Sequence, residues 1–274
     1  MSSALVSAAR LADWMAEQRP LVVLDARARL ADADAGHALW AEGHIPGARH
    51  ADMDRDLSAP PSAAGGRHPL PAEADFAARL RDWGITPDRT VVVYDDTGGQ
   101  IAAARAWWML KWAGHPAAHV LDGGWSAWQA GGYPVEIGAP LTDTSDWQPE
   151  FDDRLIASAD DVARGDAVLL DARAGERFRG EVEPLDAAAG HIPGARSVPG
   201  AAMLDAQGAF LPSADLERAL PRGDDVIAYC GSGISACQLI LAHAVLGRPL
   251  PRLYPGSWSA WSSDPARPVA TGPE

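Results

Sequence analysis

Both cysteines of the 274-residue chain, Cys230 and Cys237, lie in the stretch "AYCGSGISACQ", Ala228 to Gln238. A β-type apolar run ends at Tyr229, Cys230 follows, then Gly231 to Ser235, and an apolar stretch of helical character begins near Ile234. A cysteine at the carboxyl end of a strand, at the mouth of a glycine-rich turn into a helix, has a definite chemical use. Glycine permits the tight or left-handed conformations that aim successive N–H groups at one point. The positive end of the helix stands behind them. Gly231, Ser232, Gly233, Ile234 and Ser235 would therefore cradle an anion at the Cys230 sulfur. The thiolate is the nucleophilic form of cysteine, and the same cradle suits a persulfide anion, Cys–S–S⁻. A buried structural cysteine is the competing reading. Cys237, two helical turns further on, is assigned that structural role, with a resolving thiol as the alternative.

The elements that must position Cys230 are written twice. "LVVLDAR" at Leu21 to Arg27 returns as "AVLLDAR" at Ala167 to Arg173, and "GHIPGAR" at Gly43 to Arg49 returns unchanged at Gly190 to Arg196. "TVVVYD" ending at Asp95 corresponds to "DVIAYC" ending at Cys230, and "GGWSAW" at Gly123 to Trp128 to "GSWSAW" at Gly256 to Trp261. Four markers in one order, similarly spaced, make the chain two copies of one domain. The expected division is 1–135, a linker over 136–155 in which proline, glycine and short polar residues break both periodicities, and 156–274. Short apolar runs (Leu21 to Leu24, Thr90 to Tyr94, Val168 to Leu170, Asp225 to Tyr229) have the character of buried parallel strands. Amphipathic stretches at Ala74 to Trp83, Ile101 to Trp112 and Ser213 to Leu220 lie between them. Each copy is thus expected to be an α/β domain, a mainly parallel sheet flanked by helices, with its site where strands end and helices begin.

The first copy acts as an internal control. It has "YDDTGGQ" where the second has "YCGSGIS", so Asp95 replaces the thiol and only the second copy can do cysteine chemistry. The first loop is also read as lacking the turn chemistry of the second. His44 and His191, in the motif common to both copies, are read as parts of a structural turn. The tryptophan pairs Trp125/Trp128 and Trp258/Trp261 are read as core.

Composition narrows the partners. A formal net charge of -14, with Lys111 the only lysine, argues against non-specific binding to nucleic acid or anionic membrane. Any anion site must be local and built from arginines or backbone N–H groups. No run of about 18 apolar residues is present and no signal-peptide order opens the chain, so a cytoplasmic protein is expected, consistent with reduced thiols. No Cys/His spacing resembles a zinc site, and no glycine-rich loop carries the lysine of a nucleotide cradle.

Taken together, "DAR", "GHIPGA", "CGSGISA" and "GSWSAW" resemble the tandem-domain sulfurtransferases of the rhodanese superfamily, with an inactive first copy and an active second. The cysteine loop resembles that of the 3-mercaptopyruvate sulfurtransferases. The resemblance implies a fold of two rhodanese-like domains and sulfur transfer through a Cys230 persulfide with no metal or organic cofactor. The donor would be a small molecule and the acceptor a thiol such as thioredoxin or a small dithiol, or cyanide. It places Ser232 in a proton-handling set, with Asp54 of "ADMDRD" and His68 of "GRHPLP" reaching in from the first copy, and gives the donor's carboxylate to Arg177 of "AGERFRGE". A monomer is expected because the pseudo-dimer is already covalent. The chain departs from the family pattern at one point: a second arginine is expected before the second "GHIPG", and Leu185 and Asp186 stand there. Arg179 is the nearest other arginine, in a different register.

Three rivals follow from the same residues. A phosphatase or arsenate reductase would need an arginine six positions after the cysteine, where Ala236 stands. Thiosulfate:cyanide sulfurtransfer would use the same persulfide, but family members that prefer thiosulfate carry arginine and lysine at the positions of Gly231 and Ser232, and a dianion would lack those cations here. A persulfide-binding regulatory module would not need Asp54, His68 and Ser232.

Overall fold

The computed structural model describes residues 3–99, 101–140 and 143–273. By internal packing it divides into two units. The first comprises residues 1–58, 71–152 and 206–210, the second 59–70, 153–205 and 211–274. Residues 59–70 fall inside the first sequence copy yet pack with the second unit. The stretch 136–152, read as part of a linker, packs with the first. His44 and Glu136 exchange backbone hydrogen bonds of 2.9 Å, and the Ser145 hydroxyl donates to the Ile85 carbonyl at 2.7 Å.

The first unit holds a parallel sheet of five strands, β1 (Leu5–Val6), β2 (Leu21–Asp25), β3 (Arg49–His50), β4 (Thr90–Tyr94) and β5 (Ala118–Leu121), in the order β1-β5-β4-β2-β3. Its helices are α1 (Ala8–Ala16), α2 (Ala35–Glu42), α3 (Glu73–Asp82), α4 (Ala103–Trp112) and α5 (Gly124–Ala130). The second unit repeats the plan with β6 (Val168–Asp171), β7 (Arg196–Ser197), β8 (Val226–Tyr229) and β9 (Arg252–Leu253), ordered β7-β6-β8-β9. Around them lie α6 (Ala159–Arg164), α7 (Gly175–Phe178), α8 (Ser213–Ala219), α9 (Ala236–Val245) and α10 (Ser257–Ser263). Ile156 makes a single parallel bridge to Leu253, much as Leu5 in β1 pairs with Val120. The repeat extends to register: Asp25 pairs with Tyr94, and Asp171 with Tyr229. The central strands β4 and β8 are buried along most of their length, as the continuous apolar runs require of strands covered on both faces.

The repeated motifs form one framework, built twice. Arg27 closes on the Asp25 carboxylate at 2.6 Å and donates to the Gly43 carbonyl at 2.7 Å, while its guanidinium stacks 4.5 Å over the Trp125 ring. Arg173 does the same with Asp171, Gly190 and Trp258. The "DAR" arginine therefore ties the end of the strand to the "GHIPG" turn and to the tryptophan helix. Inside those turns the His44 ring bonds the Trp40 carbonyl, and the His191 ring the Phe178 carbonyl, each at 2.8 Å. Both imidazoles are buried and stacked on an aromatic neighbour, Trp40 and Phe178 respectively. Trp128, Trp258 and Trp261 are core residues.

A buried ion pair is costly to break from one side, because the remaining charge stays in the interior. Arg27→Ala leaves the fully buried Asp25 carboxylate without its cation. It is expected to lower stability by about 3–5 kcal/mol, measured as a fall in the chemical-denaturation midpoint. A loss below about 1 kcal/mol, the size of an exposed pair, would contradict the framework role.

Candidate active site

In the second unit β8 delivers Cys230, and α9 begins six residues later at Ala236. The thiol is almost wholly buried. The Gly233 N–H donates to the Cys230 Sγ at 3.2 Å. Gly233 has φ of +81°, and a Cβ there would stand 2.5 Å from the Pro255 carbonyl oxygen, so only glycine fits the position that aims this N–H at the sulfur. Ile234 is buried, Ser235 stands at the N-cap position of α9 without a side-chain capping bond, and the Cys237 thiol donates back to the Gly233 carbonyl at 3.5 Å.

The loop is held from beneath by the start of α10. The N–H groups of Trp258 and Ser259 donate to the carbonyls of Cys230 and Gly231 at 3.0 and 2.9 Å. The Cys230 N–H donates to the Ser257 hydroxyl at 3.1 Å, and that hydroxyl donates to the Tyr254 carbonyl at 2.9 Å. Ser257 takes φ of +52°, a region that non-glycine residues seldom adopt. The first copy has Gly124 in that place, with φ of +54°. The left-handed serine is thus confined to the copy with the cysteine, where its hydroxyl accepts the cysteine's own N–H. Sequence reasoning passed over it, although "GGWSAW" against "GSWSAW" carried the signal.

The first unit corrects one expectation and strengthens another. Its "DDTGG" segment does make an N–H cradle: the Asp95 carboxylate accepts from Thr97 at 2.9 Å, Gly99 at 2.8 Å and Ala103 at 3.2 Å. Gly98 and Gly99, both at positive φ, supply the turn that the residue types had been read as lacking; Gln100 lies outside the described residues. The same strand-to-helix loop therefore holds a carboxylate in one copy and a thiol sulfur in the other. Both loops aim backbone N–H groups at the side chain that follows the strand, Asp95 in one copy and Cys230 in the other.

The segment 59–70 brings a second group of residues to the loop. The Arg67 N–H donates to the Ser259 hydroxyl at 3.1 Å, the Ser263 hydroxyl donates to the Ala63 carbonyl at 3.2 Å, and the His68 Nδ1 lies 2.8 Å from the Ser232 Oγ. Arg177, on α7, points toward the same loop. A Cβ on residue 231 would stand 2.9 Å from the Arg67 Nη2 and 3.4 Å from the Arg177 Nη1. A side chain at residue 231 would crowd the Arg67 guanidinium, while Arg177 would stand at ordinary contact distance. Arg177 also donates to Glu183 at 2.7 Å and Asp186 at 3.2 Å, and Arg67 pairs with Asp186. Arg179 turns away to an exposed pair with Glu181.

The structure thus brings Cys230, Ser232, His68 and Arg177 together within one unit and adds Arg67, which sequence reasoning did not single out. The inference that a neutral Gly231/Ser232 loop lacks cations is corrected: the charge comes from outside the loop. Asp54 belongs to the first unit. Its N–H donates to the Asp52 carboxylate at 2.9 Å, and burial, then the neighbouring Asp52, raise its carboxyl above the usual range.

With this geometry in place, comparison with known proteins decides the family. The family model "Rhodanese-like domain" matches residues 7–131 and 157–264. The chain belongs to the rhodanese-like family. Among its relatives is a 3-mercaptopyruvate sulfurtransferase of Escherichia coli, 33% identical over 276 residues that cover 94% of this chain and 96% of that protein. Two provisionally named relatives are nearer in sequence. A Pseudomonas aeruginosa protein named for 3-mercaptopyruvate sulfurtransfer is 47% identical over 99% of this chain and all of its own. A Mycobacterium tuberculosis protein named for thiosulfate sulfurtransfer is 44% identical over 98% of this chain and 97% of its own. A crystal structure of the E. coli 3-mercaptopyruvate enzyme superposes with a TM-score of 0.80 at 30% identity, covering 94% of this chain and all of that one. This rhodanese-like protein is an enzyme of the sulfurtransferase class, of the 3-mercaptopyruvate or thiosulfate type. Among the described residues no helix is long and apolar enough to cross a membrane.

Proposed function

We propose that the enzyme takes sulfur from 3-mercaptopyruvate onto Cys230 and passes it to a thiol such as thioredoxin or a small dithiol, or to cyanide. The Cys230 thiolate attacks the donor's sulfur, an S–S bond forms, and the C–S bond breaks. Its electron pair leaves on the methylene carbon as the enolate of pyruvate. A proton then reaches that carbon, and in net terms it is the one the donor's thiol gave up. The products are pyruvate and a Cys230 persulfide held by the N–H groups of Gly231 to Ser235. An acceptor thiolate attacks the outer sulfur and restores the Cys230 thiolate.

The observation that carries this reading is the Ser232–His68 contact of 2.8 Å, two residues from the thiol. Breaking a C–S bond leaves a carbanionic centre that must be protonated, and a histidine poised on a serine hydroxyl can move that proton near neutral pH. Thiosulfate releases sulfite, a stable anion that needs no proton, so it gives such a pair nothing to do. Local charge favours the same donor. The two guanidiniums over Gly231 are balanced by the two buried carboxylates of Glu183 and Asp186, a balance better suited to a monocarboxylate than to a dianion.

The test is kcat/KM for 3-mercaptopyruvate and thiosulfate measured side by side with one acceptor. A preference for 3-mercaptopyruvate of more than about tenfold is expected. A preference for thiosulfate would overturn the donor assignment.

A further inference from the structure

The structure supplies, from a distant segment, an arginine that this chain lacks at the position where the family pattern expects one. Asp186 stands at the expected second arginine, and its buried carboxylate bridges Arg67 and Arg177. Glu183 fixes this turn by accepting the N–H groups of Leu185 and Asp186 at 3.1 and 3.2 Å while holding Arg177 at 2.7 Å. The acid thus recruits a guanidinium from a distant segment. Each arginine uses one terminal nitrogen on Asp186, Nη1 of Arg67 and Nη2 of Arg177. The Arg67 Nη2 and both terminal nitrogens of Arg177, Nη1 the nearer, face Gly231, the residue after Cys230. The Arg177 Nε is buried with no hydrogen-bond partner among the described residues, an unmet donor of the kind an incoming acceptor would satisfy. Burial, then the like charge of Arg177, pull the Arg67 pKa below its ordinary value, and an anion between the two would relieve that repulsion. Both side chains keep an exposed edge, 29% for Arg67 and 20% for Arg177, so a small donor can reach them.

We propose that Arg67 and Arg177 together clamp the donor's carboxylate, Arg67 serving as the second cation of the site. The segment 66–68 then contributes both the cation at Arg67 and the proton carrier at His68, so donor recognition and proton delivery arrive on one loop. This inference rests on the reading that 3-mercaptopyruvate is the donor.

The test compares 3-mercaptopyruvate with 1-mercaptopropan-2-one, the same donor with a methyl group in place of the carboxylate. Arg67→Gln is expected to lower the ratio of kcat/KM for the first over the second by about ten- to a hundredfold, the weight of a charge-assisted hydrogen bond, mainly through KM for 3-mercaptopyruvate. An equal fall with both donors would assign Arg67 a structural role and overturn the inference, as would no fall. If Arg67→Gln does not fold, Arg67→Lys keeps the charge opposite Asp186 and is expected to lose about tenfold in the same ratio, since an ammonium cannot reproduce the planar fork; an unaltered ratio there would also overturn it. A wild-type enzyme inert toward 3-mercaptopyruvate would overturn the donor assignment and this inference with it. Turnover with a ratio insensitive to residue 67 would overturn this inference alone.

Discussion

Cys230→Ser should abolish sulfur transfer, with a loss of about three orders of magnitude or more in kcat, the scale on which removal of a covalent nucleophile acts. The change is nearly isosteric, and a serine at 230 keeps the N–H cradle, the Ser257 support and the framework of Asp171, Arg173 and Trp258. What it removes is the sulfur that forms the S–S bond. Cys237→Ser should retain most activity, because that thiol is buried in α9 and bonded to the Gly233 carbonyl. Donor-dependent pyruvate release measured on both variants checks the pair. Substantial turnover by Cys230→Ser, or loss confined to Cys237→Ser, would contradict the assignment of the nucleophile.

The second large effect is expected at the Ser232–His68 pair. Ser232→Ala and His68→Ala should each lower kcat with 3-mercaptopyruvate by about 10²- to 10⁴-fold, the usual contribution of a positioned acid or base. The double variant should lose little more than the worse single one, because the two groups act as a unit. A structural role would give a different pattern, with losses that add and that fall equally on thiosulfate. Single-turnover rates with both donors separate these outcomes: the expected losses are large with 3-mercaptopyruvate and small with thiosulfate, whose leaving group needs no proton.

The duplication was legible because identical residues do identical work in both halves. The "DAR" arginine, the "GHIPG" turn and the tryptophan helix each recur with the same partners, so reading one copy against the other separated scaffold from chemistry at Cys230. The strands were legible for a similar reason, as short apolar runs too brief for helices. The second cation was not. Arg67 lies far from Cys230 along the chain and reaches the loop because residues 59–70 pack with the second unit, a tertiary choice that no local pattern encodes. In sequence Asp186 is a departure from the family pattern that bears on the donor, whereas in space its carboxylate pairs with Arg67 from a distant segment. The cradle around Asp95 was missed because loop conformation follows the φ angles of Gly98 and Gly99, while the reading weighed residue types. Ser257 was missed because a single serine-for-glycine exchange seemed minor until its hydroxyl was seen to hold the Cys230 N–H.

The most direct test of the central claim is peptide mapping with fragment-ion sequencing, which separates Cys230 from Cys237, of the enzyme treated with stoichiometric 3-mercaptopyruvate in the absence of acceptor, with pyruvate measured in the same sample. The account predicts one added sulfur atom on the peptide carrying Cys230, lost again on addition of a dithiol, and one pyruvate formed for each sulfur bound. Pyruvate release without sulfur on Cys230, or sulfur found on Cys237 instead, would contradict it.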